Sequence, residues 1–141
     1  MKYTILVSHG KFAAGLKDAL SMLAGERNDL LAHGLENGKT ADAFAKEFAE
    51  VIAPVSPDDE ILLYGDLIGG SPLTTACNVL CEKGLNKNLR VIGGMNLPGV
   101  LSSLLSTDFL ELEDLKNTGL NEGKEALKEF VLAGDDEEDD I

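Results

Sequence analysis

Four short apolar runs recur along the chain, and a segment with helical spacing follows each of them. The runs are YTILV, DLLAHGL, EILLYGD and LRVIGG. After the first run, Leu16, Leu20 and Leu23 lie on one face of a predicted helix. The third run is continuous in its apolar residues, which is typical of a strand that is covered on both faces. The pattern therefore predicts strands that alternate with helices.

Capping residues and prolines indicate where the predicted helices begin and end. Thr40 is the predicted N-cap of the second helix, which runs to Ile52 and is ended by Pro54. We expect Ser71 to cap the third helix and Pro72 to occupy its first position. A short fourth helix is predicted in GVLSSLLS. The alternation predicts an α/β fold with an open, doubly wound, mainly parallel sheet of flavodoxin-like winding and helices on both faces.

The C-terminal third has a weaker pattern. LEDLKNTG predicts a helix that ends near Gly119, and GKEALKEFVLAG also has helical spacing. The chain shows neither a linker nor an internal repeat, so we expect a single domain over residues 1–134. The six acids of Asp135–Asp140 lie in residues 135–141, which we interpret as a solvated, disordered tail. Steering of a basic partner is the alternative interpretation of the tail.

Charge and composition exclude several classes of function. Twelve basic and twenty-five acidic residues give the chain a net charge of −13. This charge argues against nucleic acid as a partner, because phosphate backbones bind basic surfaces. The opening apolar run is far shorter than the roughly 18 residues that cross a bilayer. We therefore expect no targeting segment and no membrane insertion, and a cytoplasmic location.

Cysteine and histidine positions do not predict a metal or redox site. Cys77 and Cys81 are four residues apart, which is not a C-x-x-C motif, so we interpret both as reduced packing thiols. The scattered residues His9, Asp66 and His33 lack a recognisable ligand spacing. His33 is interpreted as a partly exposed loop residue after the second strand. We expect neither a metal nor another cofactor.

Polar loops follow three of the predicted strands at their carboxyl ends, where open parallel sheets bind ligands. His9 follows the first strand, Asp66 follows the third, and the loop GGMNLPG (Gly93–Gly99) follows the fourth. Flavodoxin-like winding makes the first and third strands neighbours, so His9 and Asp66 are expected to face each other. A carboxylate that holds the proton on one ring nitrogen leaves the other nitrogen free to act as a nucleophile.

The sequence after Asp66 adds a predicted anion cradle. Gly69 and Gly70 allow close approach of a ligand to the backbone, and Ser71 stands at the start of a helix, whose free N–H groups attract anions. His9, Asp66 and the cradle together predict a phosphohistidine site. A non-catalytic regulatory module that only binds phosphate or another anion is the alternative. A nucleotide-binding protein is disfavoured, because SHGKFAAG is neither G-x-G-x-x-G nor a Walker sequence.

Three stretches, ILVSHGKFAAGL, DLIGGSPLTTA and GGMNLPGVL, carry a family resemblance. In their order and spacing the chain resembles the IIA component of the mannose family of the bacterial phosphoenolpyruvate:sugar phosphotransferase system (PTS). The resemblance implies that His9 is phosphorylated, that Asp66 is its hydrogen-bonding aspartate, and that Ser71 is the active-site serine of the Gly69–Pro72 loop. It implies that Gly93–Gly99 forms another wall of the site.

The resemblance also implies the partners. A IIA component accepts a phosphoryl group from the phosphocarrier HPr and passes it to a IIB component. The IIB component then phosphorylates a sugar that enters through the membrane components IIC and IID. Many IIA units are fused to IIB, whereas this chain stops in an acidic tail, so IIB is expected to be a separate protein.

A homodimer is the last expectation from the resemblance. Family members exchange an antiparallel edge strand near the C-terminus. This conflicts with the helical spacing of GKEALKEFVLAG, and we favour the strand, somewhere in Gly123–Val131.

Overall fold

The computed structural model describes residues 1–133, so Gly134 and the predicted tail over 135–141 lie outside the described residues. Strands and helices alternate through most of the chain, as the apolar pattern predicts. In chain order the elements are β1 (Lys2–His9), α1 (Phe12–Ala24), β2 (Leu30–Leu35), α2 (Ala41–Val51), β3 (Glu60–Gly65), α3 (Ser71–Glu82), β4 (Leu89–Ile92), α4 (Leu97–Leu104) and α5 (Leu112–Ala126).

The four strands described form one parallel sheet in the order β2-β1-β3-β4. This order confirms the predicted open parallel sheet with flavodoxin-like winding. Val7 of β1 lies opposite His33 on one side and Gly65 on the other. The carboxyl ends of β1 and β3 are therefore adjacent at the point where the winding reverses, which is the usual location of a ligand site in such sheets.

Side chains from the two faces of the sheet enter two separate cores. Along β1, Ile5 and Val7 pack with Phe44 and Phe48 of α2. Leu6 points to the opposite face, because successive side chains of a strand alternate, and it packs in the core formed with α1, α4 and α5. Covering both faces in this way holds β1 and β3 rigidly and fixes the residues that follow them.

Two predicted helix starts have different outcomes. The prediction for Thr40 is confirmed, because its side chain caps α2 by accepting a hydrogen bond from the N–H of Ala43 at 3.1 Å. The prediction for Ser71 is wrong by one residue. Gly70, in an extended conformation, is the N-cap of α3, and its carbonyl accepts the N–H of Thr74 at 3.2 Å. Ser71 is therefore the first helical residue, ahead of Pro72.

The C-terminal region differs most from the sequence predictions. Helix α5 does not end near Gly119 but continues to Ala126. The helix predicted in GKEALKEFVLAG is present only as far as Ala126, and residues 127–133 form no strand in this single chain. A strand requires a neighbour for its N–H and C=O groups, and these residues have none here.

Of the helices described over residues 1–133, none is long and apolar enough to cross a membrane.

Candidate functional site

His9 is the last residue of β1, and the turn after it directs the chain into α1. Gly10 adopts a positive φ of 56° and donates its N–H to the carbonyl of Leu35 at 2.8 Å. The buried hydroxyl of Ser8 accepts the N–H of Ala13 at 2.7 Å. These bonds fix the backbone on both sides of His9, while its side chain remains 47% exposed.

Asp66, directly after β3, contacts His9 as the strand order requires. One oxygen, Oδ2, lies 2.9 Å from both the backbone N and the ring Nδ1 of His9. The other, Oδ1, accepts the N–H of Leu67 at 2.9 Å. An ionised carboxylate can only accept hydrogen bonds, so Nδ1 of His9 carries the proton. The ring nitrogen Nε2 then keeps its lone pair.

The charge state of Asp66 is set by opposing effects. Burial is the largest single effect and raises the pKa of Asp66, because it disfavours the charged form. The hydrogen bonds from the backbone and ring of His9, the positive charge that this ring carries when it is protonated, and the N–H of Leu67 together outweigh burial, so the pKa of Asp66 lies below its ordinary value. The carboxylate is therefore ionised at neutral pH.

Gly70 lies directly against the imidazole of His9. A Cβ at this position would stand 2.9 Å from the ring Cε1 and 3.6 Å from Nε2. Gly69, just before it, has a φ of 84°, which favours glycine. The first turn of α3 thus begins beside Nε2. Its N–H groups at Ser71 and Leu73 have no acceptor within the helix, because the first turn of a helix lacks one.

The Gly93–Gly99 loop contacts the loop that follows β3. Met95 donates its N–H to the carbonyl of Gly65 at 3.0 Å. A Cβ on Gly93 would overlap the side chain of Ile68. The expected second wall of the site therefore contacts the segment after β3 through Gly65 and Ile68.

Asn96 within this loop has a structural role that the sequence predictions did not include. Its Oδ1 accepts the N–H of Gly99 at 2.9 Å and caps α4. Its Nδ2 donates to the carbonyl of Gly123 in α5 at 2.9 Å. Asn96 therefore connects the loop to the end of α5. The N-cap role has a sequence signal, since asparagine is a preferred N-cap and Pro98 stands in the first turn of the helix.

A groove of about 450 Å³ lies on the other side of His9 and was also not predicted. Lys39 is the basic residue in this groove, and it forms ion pairs with Glu36, at 2.9 Å, and with Glu47. The hydrogen bonds that Lys39 donates to Glu47 and Glu36 raise its pKa. Besides His9 and Gly10, the lining residues are Leu35, Glu36, Asn37, Gly38 and Lys39.

The other histidine is not part of this site. His33 lies within β2, so its interpretation as a loop residue is wrong. Its side chain is only 20% exposed, because it packs between the sheet and α2. Its Nε2 lies 3.0 Å from Oε1 of Glu47, and its ring centroid is 5.0 Å from that of Phe44. Among residues 1–133, no group of three His, Cys, Asp or Glu side chains has the geometry of a metal site.

The two cysteines differ in their surroundings. Cys77 of α3 is half-buried and packs against the core between the sheet and helices α2 and α3. Burial raises the pKa of its thiol. Cys81 is exposed. The interpretation as a packing thiol therefore suits Cys77 and not Cys81.

Comparisons with known proteins identify the family. A family model, EIIA-man, described as "PTS system fructose IIA component", matches residues 3–119. The PTS fructose-specific EIIA component of Bacillus subtilis (strain 168) is 28% identical over 113 residues, which cover 80% of this chain and 75% of that protein. The PTS mannose-specific EIIAB component of Escherichia coli (strain K12) is 27% identical over 128 residues, 88% of this chain. The chain spans only 39% of that longer relative.

Solved structures agree with this assignment at the level of the fold. The mannose/sorbose-specific IIA subunit from Enterococcus faecalis superposes with a TM-score of 0.80 at 24% identity, covering 95% of this chain and 98% of that one. The EIIA component from Streptococcus agalactiae gives a TM-score of 0.79, also at 24% identity, covering 92% and 97%. The family match extends from β1 into the first half of α5 and includes His9, Asp66 and the Gly93–Gly99 loop. The chain belongs to the EIIA-man family and is an EIIA component of a sugar phosphotransferase system.

Proposed function

We propose that His9 is the phosphoryl carrier of this EIIA component, accepting the group from phospho-HPr and passing it to a IIB component. One observation carries the proposal. Asp66 accepts the Nδ1 proton of His9, which leaves Nε2 with a free lone pair on a half-exposed ring. The relay takes place in the cytoplasm and serves the uptake and phosphorylation of a sugar through the membrane components IIC and IID.

The transfer step needs no other reactant. The lone pair of His9 Nε2 attacks the phosphorus of the donor's phosphohistidine, a new N–P bond forms, and the old N–P bond breaks. The electron pair of the broken bond returns to the donor's imidazole. His9 keeps its Nδ1 proton, so its ring becomes positively charged as the bond forms. Asp66 stabilises this charge through the same 2.9 Å hydrogen bond.

Transfer to IIB is the reverse of this step on a second partner. The group leaves His9, the ring becomes neutral, and the Nδ1 proton stays on the side of Asp66. One tautomer of His9 therefore serves both half-reactions, and no proton has to leave the site.

The start of α3 is suited to hold the transferred group. Gly69, Gly70 and Ser71 lie beside Nε2, and the absence of a side chain at Gly70 leaves room against the ring. The N–H groups of the first helical turn and the Ser71 hydroxyl are donors for the phosphoryl oxygens. They offset the repulsion between the phosphoryl group and the Asp66 carboxylate.

Exposed apolar side chains come soon after His9 and Asp66 in the chain, which suits docking of protein partners. Phe12 begins α1, Leu67 and Ile68 directly follow Asp66, and the three are 51%, 57% and 82% exposed. Apolar groups beside a reacting centre exclude water when a partner docks, which protects a labile N–P bond from hydrolysis. The net charge of −13 favours association with basic partner surfaces. HPr and IIB would dock on this face in turn.

The chain has only two histidines, which gives the test a matched control. Purified protein is incubated with enzyme I, HPr and ³²P-labelled phosphoenolpyruvate, and acid-labile, base-stable label on the chain is measured. We expect label on the wild type and on His33→Ala, and none on His9→Ala. Nitrogen NMR of the labelled protein should place the phosphorus on Nε2. Label on His9→Ala would overturn the proposal. Reversible phosphate binding without any label would favour the regulatory module.

We also propose that the protein is a homodimer in which the C-terminal segment of one copy pairs with β4 of the other. Phe130 and Val131, in a segment without regular structure, are 85% and 73% exposed. Val91 of β4, a strand with β3 as its only neighbour in the described sheet, is 40% exposed. An added strand would cover both sets of apolar side chains and the free edge of β4.

Light scattering on the full chain tests the dimer. We expect the mass of two chains for the wild type and a shift toward one chain for Phe130→Asp. Phe109→Asp is the matched control, since Phe109 is 82% exposed but lies before α5. A wild-type monomer, or equal weakening by both substitutions, would contradict the swapped strand.

A further inference from the structure

Gly34 of β2 lies directly beneath the turn that follows His9. It is opposite Ser8 in the register between β1 and β2. A Cβ on Gly34 would overlap the carbonyl oxygen of Gly10 and would lie 3.1 Å from the Gly10 carbonyl carbon. Both of these atoms belong to the backbone. They cannot rotate away as the end of a flexible side chain can, so a side chain at Gly34 would have to displace the turn itself.

This turn determines where the His9 backbone lies. The Gly10 N–H is bound to the carbonyl of Leu35, the residue after Gly34, at 2.8 Å. On the other side of the turn, the His9 N–H is bound to Asp66 at 2.9 Å. The segment is thus held between β2 and the loop after β3. Movement of the Gly10 carbonyl away from Gly34 would act on both bonds.

We propose that Gly34 is a positioning residue for His9. Because Gly34 has no side chain, the Gly10 carbonyl can pack against β2, and this packing holds the imidazole of His9 beside Asp66 and the start of α3. The residue lies outside the three family stretches and outside the predicted site. Its effect on catalysis depends on the proposed role of His9, whereas its effect on the position of His9 does not.

Gly34→Ala tests the proposal, with Gly15→Ala as the matched control. Gly15 lies in α1, and a Cβ there would meet no atom within 4 Å. We expect Gly34→Ala to lower the rate of phosphoryl transfer at saturating phospho-HPr on the order of 10²-fold, as misplaced reacting groups do. The concentration of HPr at half-saturation should change little. Gly15→Ala should transfer at the wild-type rate. Unchanged transfer in Gly34→Ala would overturn the proposal.

A spectroscopic arm separates this proposal from the phosphoryl relay. In Gly34→Ala the amide and imidazole ¹⁵N resonances of His9 should shift, and in Gly15→Ala they should not. If the wild type accepts no label, the proposed phosphoryl transfer through His9 is contradicted. The His9 resonances then still show whether Gly34 positions His9. Unshifted His9 resonances in Gly34→Ala would overturn the proposal regardless of activity.

A measurement on the wild type covers the case in which Gly34→Ala does not fold. One α proton of Gly34 occupies the place of the missing side chain and faces the Gly10 carbonyl in a C–H···O contact. This proton should resonate downfield of its geminal partner and of the Gly15 α protons. Equivalent α protons on Gly34 would contradict the contact on which the proposal rests.

Discussion

One oxygen of Asp66 accepts hydrogen bonds from both the backbone N–H and the ring Nδ1 of His9, each at 2.9 Å. The backbone bond fixes where the residue stands, and the ring bond fixes how the imidazole is oriented and which nitrogen is protonated. A single carboxylate thus combines positioning with selection of the tautomer.

Asp66→Asn should slow phosphoryl transfer on the order of 10²-fold while the fold is retained. The amide oxygen still accepts hydrogen bonds but carries no charge to stabilise the positive ring. The measurement is the initial rate of ³²P transfer from phospho-HPr. Asp59→Asn is the control, because Asp59 binds the N-terminus and Ser56 at the opposite end of β3 from Asp66. Equal rates for Asp66→Asn and wild type would show that the charge of Asp66 is not used.

The stability of the protein in acid should depend on Asp66. Its pKa is depressed in the folded state, so its stabilisation is fully present above the unfolded value near 3.8 and is lost as the pH falls through the folded value. Thermal unfolding measured from about pH 5 to about pH 2.5 should show a smaller decrease in Tm for Asp66→Asn than for wild type. Parallel decreases would argue against the depressed pKa.

Gly70→Ala should impair transfer with little loss of stability. Its Cβ would stand 2.9 Å from Cε1 of His9, and the half-exposed ring can turn away. The backbone of Gly70 at φ −80° suits alanine, so the fold itself is not strained. We expect a decrease in rate of about 10- to 100-fold and shifted imidazole resonances. A full rate with unshifted His9 resonances would refute the contact.

Asn96→Ala should destabilise the protein by about 1–2 kcal/mol, because it removes a helix cap and a hydrogen bond between α4 and α5. Asn96→Ser is the informative comparison. Serine can still cap α4 but is too short to reach the Gly123 carbonyl, so its loss should be intermediate. Chemical denaturation measures both. Equal losses for serine and alanine would mean that the cap contributes nothing.

Gly119→Ala should cost roughly 1–3 kcal/mol, although alanine is the better helix former, because its Cβ would overlap Oη of Tyr64. Burial raises the pKa of Tyr64 to about 12, so this hydroxyl is neutral, and it lies 2.6 Å from Oγ of Ser103. Tyr64→Phe alone should cost about 1 kcal/mol for that hydrogen bond.

The double variant Gly119→Ala, Tyr64→Phe should lose less stability than the sum of the two single variants, since the overlapping oxygen is gone. The remaining contacts of the added Cβ, 3.2 Å to Cζ of Tyr64 and to Cδ1 of Ile92, are tolerable with small shifts. Equilibrium unfolding of all four proteins measures the coupling. Strict additivity would show that the hydroxyl does not oppose the new side chain.

Local spacing was sufficient to predict the elements and their layers. Short continuous apolar runs such as the one around Ile5 indicate strands that are covered on both faces, and a Thr40 cap before a period-3.6 face indicates a helix. The sequence also predicted that His9 and Asp66 follow adjacent parallel strands. That prediction needed only the winding, since parallel strands end at the same edge.

The tertiary structure alone decided how segments distant in the chain approach each other. In the sequence, Gly119 reads as a helix end and Gly34 reads as an ordinary strand residue. In the fold, Gly119 makes room for Tyr64 and Gly34 makes room for the Gly10 carbonyl. The sequence does not distinguish a glycine that allows close packing from a glycine that allows a turn. The difference depends on which atoms lie against the glycine in the folded protein, and these atoms are set by the strand register and the helix packing.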